Sequence, residues 1–174
     1  MSGQTTSKTK ATAPENEPTI IMERHVNASP EAVYAAWSNP DAFAQWMGPN
    51  GFTITMKAMD FRVGGLCRYI MHAPDGTNYG NRHKYRELKR ASRIAYTHSS
   101  DIDNDPEAFE VTVDLIEQDG GTLVRIHSVF PSLERLRELK KIGAVEFGKQ
   151  SWDKLAAWVE NHSRSVGTSS GPAS

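Results

Sequence analysis

Apolar and polar positions alternate along two stretches of the chain's second half. Val111, Val113 and Leu115 alternate with Glu110, Thr112 and Asp114, and Val124, Ile126 and Ser128 alternate with Arg125 and His127. A period of two marks a strand with one buried face. The same reading predicts strands over 19–26, 52–61, 66–72, 82–88, 93–99, 109–117 and 122–130. Turn signals separate most of them: Gly64-Gly65, Pro74-Asp75-Gly76, Asp101 to Pro106, and Asp119-Gly120-Gly121. The gaps are too short for crossover helices, so the sheet is expected to be an antiparallel meander.

The period turns helical in two places. After the first strand, Ser29 suits an N-cap, Pro30 the first helical position and Glu31 the positive helix end. Val33, Ala36 and Trp37 form the apolar face. Asn39-Pro40 stops this helix and starts a second, in which Phe43, Trp46 and Met47 lie at i, i+3 and i+4 before Gly48-Pro49. After Pro131, Leu133, Leu136, Leu139 and Ile142 fit a helix interrupted at Gly143. Phe147, Trp152, Leu155, Ala156 and Val159 then mark a long amphipathic helix to about His162. A sheet with one apolar face needs a cover, and this terminal helix is the element long enough to give it. The expected class is α+β, a curved antiparallel sheet around the C-terminal helix with a cavity or cleft between them.

Composition narrows the setting. The chain has 174 residues, 38% apolar and 24% charged, with a net charge of -1. That suits one domain without a global basic field, so nucleic acid is not an expected partner. Residues 1–18 and 163–174 read as disordered tails around a domain spanning 19–162, because both are polar and rich in small residues or proline. Neither a membrane span nor a secretory apolar segment is legible, which gives a cytoplasmic expectation. The single cysteine, Cys67, excludes an internal disulfide framework, and the six histidines lack metal-ligand spacing. No metal and no cofactor are expected, and nothing legible bears on oligomeric state.

Several ordered motifs carry a resemblance. They are Arg24 to Tyr34 continuing to Trp37 and Asn39-Pro40, then Gln45-Trp46-Met47-Gly48-Pro49, and Asp60-Phe61-Arg62-Val63-Gly64-Gly65. Pro74-Asp75-Gly76, Gly121-Thr122 and Gly148 ahead of Trp152, Leu155 and Val159 complete the set. Together they resemble the activator-of-heat-shock-protein-ATPase-like branch of the START / Bet v 1-like helix-grip superfamily. The resemblance implies an internal cavity rather than a fixed catalytic set. Members include lipid or polyketide binders, cyclases, self-sacrificing resistance proteins, stress proteins and co-chaperones. The chain departs from the pattern at Leu66-Cys67, where many relatives carry an aromatic, and at Gly148-Lys149, where many carry Gly-Trp.

The candidate ligand-binding residues are those of the expected cavity wall. Cys67, Tyr69 and Met71 share one strand face, and Tyr96 and His98 share another with Ile94. The large aromatics Trp46, Phe52, Phe109, Phe130, Phe147 and Trp152 are expected to face inward. Tyr69, Tyr96 and His98 would supply the few placed polar groups such pockets use. His83 and His98 can meet across strands as an acid/base pair, although satisfied or surface histidines are the commoner case. Cys67 reads as a buried structural thiol. Asp101-Ile102-Asp103-Asn104-Asp105 imitates a calcium loop but has Pro106 and Thr112 where Gly and Glu are required. Arg82, Lys84 and Arg86, followed by Lys89, Arg90 and Arg93, form a basic stripe opposed in sequence by Glu87 alone. It reads as a solvated outer face or as a contact for an acidic partner.

No catalytic residue is assigned. The leading expectation is binding of a small hydrophobic or amphipathic molecule between sheet and helix. The alternatives are a co-chaperone-like or stress-related protein-interaction module, and a polyketide cyclase-like or hydrolase-like enzyme using Tyr96, His98 or Glu87.

Overall fold

The computed structural model of the protein describes residues 8–169. The first seven and last five residues, parts of the two expected tails, lie outside the described residues. Eight strands form one antiparallel sheet. β1 is Lys10–Thr12, β2 Thr19–Val26, β3 Thr53–Met59 and β4 Leu66–His72. β5 is Asn78–Lys89, β6 Arg93–Ser100, β7 Phe109–Gln118 and β8 Gly121–Val129. The spatial order is β1-β2-β8-β7-β6-β5-β4-β3, so the meander from β3 to β8 closes against the first long strand. Helices α1 (Pro30–Ser38) and α2 (Pro40–Trp46) fill the β2–β3 connection, and α3 (Leu133–Lys141) and α4 (Ala144–Ser169) follow β8. This is the α+β helix-grip layout.

The local reasons follow the sequence. Ser29 Oγ accepts from Ala32 N–H at 3.2 Å and caps α1. Asn39 ends α1 and starts α2: its N–H bonds to Ala35, while its Oδ1 accepts from Asp41 and Ala42 N–H at 2.9 and 3.1 Å. The β3–β4 connection needs both of its glycines. Gly64 sits at φ +85°, and a Cβ on Gly65 would fall 2.1 Å from the Asp60 carbonyl oxygen.

Two expectations about the ends are corrected. Lys10–Thr12 is a strand, paired in register with Glu23–Ile21 of β2. The segment buries few apolar atoms of its own. Edge-strand backbone bonds hold it, together with Thr9, whose N–H and hydroxyl both donate to Asp153 Oδ1 of α4 at 3.0 and 2.7 Å. At the other end α4 runs through Ser169, beyond the expected stop at His162.

The outer face of the sheet corrects a third. Glu87 is not the stripe's sole acidic neighbour. Asp101 accepts from Arg68 at 2.8 Å and from Arg82 at 3.1 Å, and Arg82 also reaches Asp103 at 2.9 Å. Arg93 pairs with Asp114 at 2.7 Å, Arg86 with Glu110 at 3.7 Å and Arg90 with Glu31 at 3.3 Å. The acids come from the 101–105 turn, from β7 and from α1, and folding alone brings them to the basic side chains of β4, β5, β6 and the β5–β6 turn. Asp105 holds the turn by accepting from Ser100 and Glu107 N–H.

Candidate functional site

The inner face of the sheet and α4 do not close on each other completely. A compact aromatic cluster fills one end of the space between them. Trp37 lies 4.8 Å from Trp46 and stacks on Trp152 at 5.7 Å, with Phe43 against Trp46 at 5.3 Å. Trp46 Nε1 donates to the Ala36 carbonyl at 3.0 Å, whereas Trp37 Nε1 is buried without a partner.

Beyond this cluster lies a cavity of about 230 Å³. Its sheet side is built by alternation. Tyr69 and Met71 point in from β4, Tyr96 and His98 from β6, and Ile126 and Ser128 from β8. Phe109 and Phe130 pack with tilted rings, centroids 4.7 Å apart, along one wall. Ile20 and Met22 of β2 meet α4 at Gly148. A Cβ there would come within 2.8 Å of the Met22 methyl, so glycine lets helix and strand approach this closely. Trp152, Ser151 and Ala144 line the helix side, and Met47 and Gly48 the end of α2.

The polar groups gather on the β4–β6 wall. His83 and His98 are cross-strand partners with ring centroids 4.8 Å apart. His83 stacks on Tyr96 at 4.0 Å and bonds through Nε2 to the Tyr69 hydroxyl at 3.0 Å. Burial, then the neighbouring His98, holds the His83 pKa well below the ordinary histidine value. Burial likewise lowers that of His98, to about 4, against an opposing pull from Asp105. Both rings are therefore neutral at pH 7. Burial raises the tyrosine hydroxyls of Tyr69 and Tyr96 above their ordinary value, so they remain protonated donors.

The structure sorts the sequence candidates. Tyr69, Met71, Tyr96, His98, Phe109, Phe130 and Trp152 line the cavity. Four do not. Trp46 belongs to the aromatic cluster, and Cys67 is fully buried, its thiol pushed up to about 12 by burial. Phe52 is half-buried outside the wall, against Gly48. Phe147, expected to face inward, is 45% exposed: it begins α4 at the mouth and folds back over the Gly143 turn. Glu87 points to the outer face, paired with Lys89 and Arg93. The lining residues that sequence reasoning missed include Met22, Val111 and Ser128, and His83, expected to meet His98 across strands but not named as part of the wall, lines it as well. His83 had a legible signal, because Tyr85 two positions on marks its side of the strand as apolar.

Among the described residues no helix is long and apolar enough to cross a membrane. No curated protein matches the sequence. Solved structures do. A protein of Chromobacterium violaceum is 31% identical, with a TM-score of 0.70 over 82% of this chain and 97% of that one. One from Arthrobacter aurescens is 20% identical, with a TM-score of 0.81 over 87% and 91%. An AHSA1-like protein of Aeromonas hydrophila is 23% identical, with a TM-score of 0.66 over 83% and 93%. The sequence model of the Activator of Hsp90 ATPase homolog 1-like proteins matches residues 27–160, most of the sheet and the helices that cover it, and the chain belongs to that family.

Proposed function

We propose that the protein binds one small hydrophobic or amphipathic molecule in the cavity between its sheet and α4. The observation that carries this reading is the cavity itself: about 230 Å³ of space with aromatic and aliphatic walls, in the place where a filled core would otherwise sit. This is slightly below the roughly 300–1,000 Å³ of drug-sized sites, so it suits a ligand of one or two rings or a short chain. Burying about 200 Å² of apolar ligand surface contributes roughly 5 kcal/mol at 25 cal/mol per Å². Even before association losses that corresponds to a Kd of about 0.2 mM, so affinities in the submillimolar to millimolar range are expected.

A co-chaperone-like or stress-related interaction module is the alternative that the family's description suggests. Its candidate surface was the basic stripe, and the ion pairs there weigh against it: Arg82, Arg86 and Arg93 already have acidic partners. An acid/base enzyme ranks last, since the cavity lining holds no carboxylate.

Native mass spectrometry of protein purified from cells, followed by extraction, tests the reading. The expected result is a retained apolar compound at one per chain, or uptake of the neutral fluorophore N-phenyl-1-naphthylamine with quenching of tryptophan emission as it meets Trp152. A bare mass together with no fluorophore uptake overturns it.

A further inference from the structure

The chemistry of the lining says more than that the ligand is apolar. None of the side chains around the cavity carries a charge. Lys154, on the cavity-lining helix, is not itself part of the lining: its ammonium is engaged by the carbonyls of Gly48, at the cavity's edge, and Pro49, at 3.1 and 3.4 Å. Most polar groups of the lining are already satisfied by the protein. Tyr69 and His83 bond to each other, His98 Nε2 lies 2.9 Å from Asn81 Oδ1, and the Ser151 hydroxyl donates to the Phe147 carbonyl at 3.3 Å. Among the described residues, the hydroxyls of Tyr96 and Ser128 have no protein partner.

Resting on the cavity-binding reading, we propose that the site selects uncharged ligands bearing a hydrogen-bond acceptor, which the Tyr96 hydroxyl meets, and excludes the corresponding carboxylates. A buried anion needs a cation or several donors to replace its hydration. The two histidines do not provide one. With the His98 pKa near 4, its imidazolium is roughly a one-in-a-thousand form at pH 7. With Asn81 Oδ1 as the acceptor, His98 carries its proton on Nε2 and leaves Nδ1 as a lone pair, which repels an anion. A neutral carbonyl or ether oxygen has no such deficit. It forms one bond to a tyrosine hydroxyl that is otherwise unpaired and loses little water in doing so.

A matched ligand series separates this from the broader reading. The probes are 2-acetylnaphthalene, 2-naphthoate and 2-ethylnaphthalene, each displacing N-phenyl-1-naphthylamine from the full chain at pH 7. The ketone is expected to displace at concentrations about 100-fold or more below the carboxylate, because only about one part in 500 of a carboxylic acid is neutral at that pH. Tyr96→Phe should weaken the ketone by about 2- to 10-fold, the net worth of one hydrogen bond, and leave the ethyl compound unchanged. Ser128→Ala is the second variant. Carboxylate displacement within tenfold of the ketone overturns the proposal while leaving the cavity reading standing. So does ketone affinity unchanged by both variants, which removes the hydroxyl from the recognition. If the fluorophore itself fails to bind, the cavity reading falls and this proposal with it.

Discussion

The contact that ties α4 to the sheet makes a sharp prediction. Asp153 Oδ1 accepts three hydrogen bonds: from Arg24 Nη1 at 2.7 Å, and from the Thr9 hydroxyl and N–H. The Arg24 side chain is 8% exposed and that of Asp153 41%. Asp153→Asn keeps the shape and removes the charge, leaving the Arg24 guanidinium buried without its anion. Breaking a fully buried pair costs about 3–5 kcal/mol and an exposed one about 0–1. Half-open to water on the Asp153 side, this one is expected to cost about 2 kcal/mol, or roughly 4–8 °C in Tm for a chain of this size. Arg24→Met keeps the buried stem and should cost less, about 1 kcal/mol, because the freed Asp153 can be solvated. Urea denaturation of both variants and the double variant, at unchanged m, gives the coupling. A coupling of about 1 kcal/mol or more is expected. A value below about 0.5 kcal/mol, the range of independent sites, would refute the clip between the N-terminal strand, β2 and α4.

Three further outcomes follow from other parts of the structure. Stability should fall as pH drops from about 6.5 to 4, since His83 and His98 stay neutral in the fold while unfolded histidines take up protons. Hydrogen bonds from Arg68, then Arg82, hold the Asp101 carboxyl below the usual range, so its contribution is intact above about pH 4 and lost below it. In a Tm–pH series Asp101→Asn should parallel the unmodified protein down to pH 4 and fall less steeply below it; equal slopes there would contradict the assignment. Ser128→Ile fills part of the cavity from a half-buried strand position. It should raise Tm, by about 0.5–2 kcal/mol of stability, while weakening N-phenyl-1-naphthylamine at least tenfold; unchanged affinity would remove Ser128 from the binding surface.

What was legible in the sequence divides along physical lines. Strand periodicity and turn signals located seven of the eight strands because most spend alternate side chains on one buried face, β3 on a half-buried one. β5 starts at Asn78, earlier than expected, since Asn78–Asn81 carries no buried apolar residue to announce it. The shortest strand stayed invisible: Lys10-Ala11-Thr12 has no pattern to show, and its stability resides in β2's backbone and Asp153. The basic stripe misled for a related reason. Local sequence shows Glu87 beside it but not Asp101, Asp114 or Glu110, which only strand pairing delivers. Within the site, alternation identified Tyr69, Met71, Tyr96 and His98. It does not tell a wall from a core. Cys67 and Tyr69 share a strand face, yet Cys67 is packed solid and Tyr69 borders space, because the aromatic cluster and α4 decide where the filling stops.

That stopping point bears on what the cavity is for. At roughly 24 cal/mol per Å³, leaving about 230 Å³ unfilled forgoes on the order of 5 kcal/mol of packing, against a net stability of about 5–15 kcal/mol for a typical domain. The surrounding structure offsets it. The tryptophan cluster packs one end, the ion-paired outer face braces the strands, and Asp153 anchors the helix. The walls that remain differ in stiffness. On β4–β6 the polar wall is held by cross-strand pairing, His83–Tyr96 stacking and two side-chain hydrogen bonds. Opposite it, Met22 of β2 and Met47 at the end of α2 supply unbranched side chains that repack with little strain. On the proposed reading, a rigid polar wall with a deformable apolar one is expected to discriminate strictly by charge and loosely by shape. Affinities within a series of uncharged ligands should then track buried apolar area rather than ring geometry.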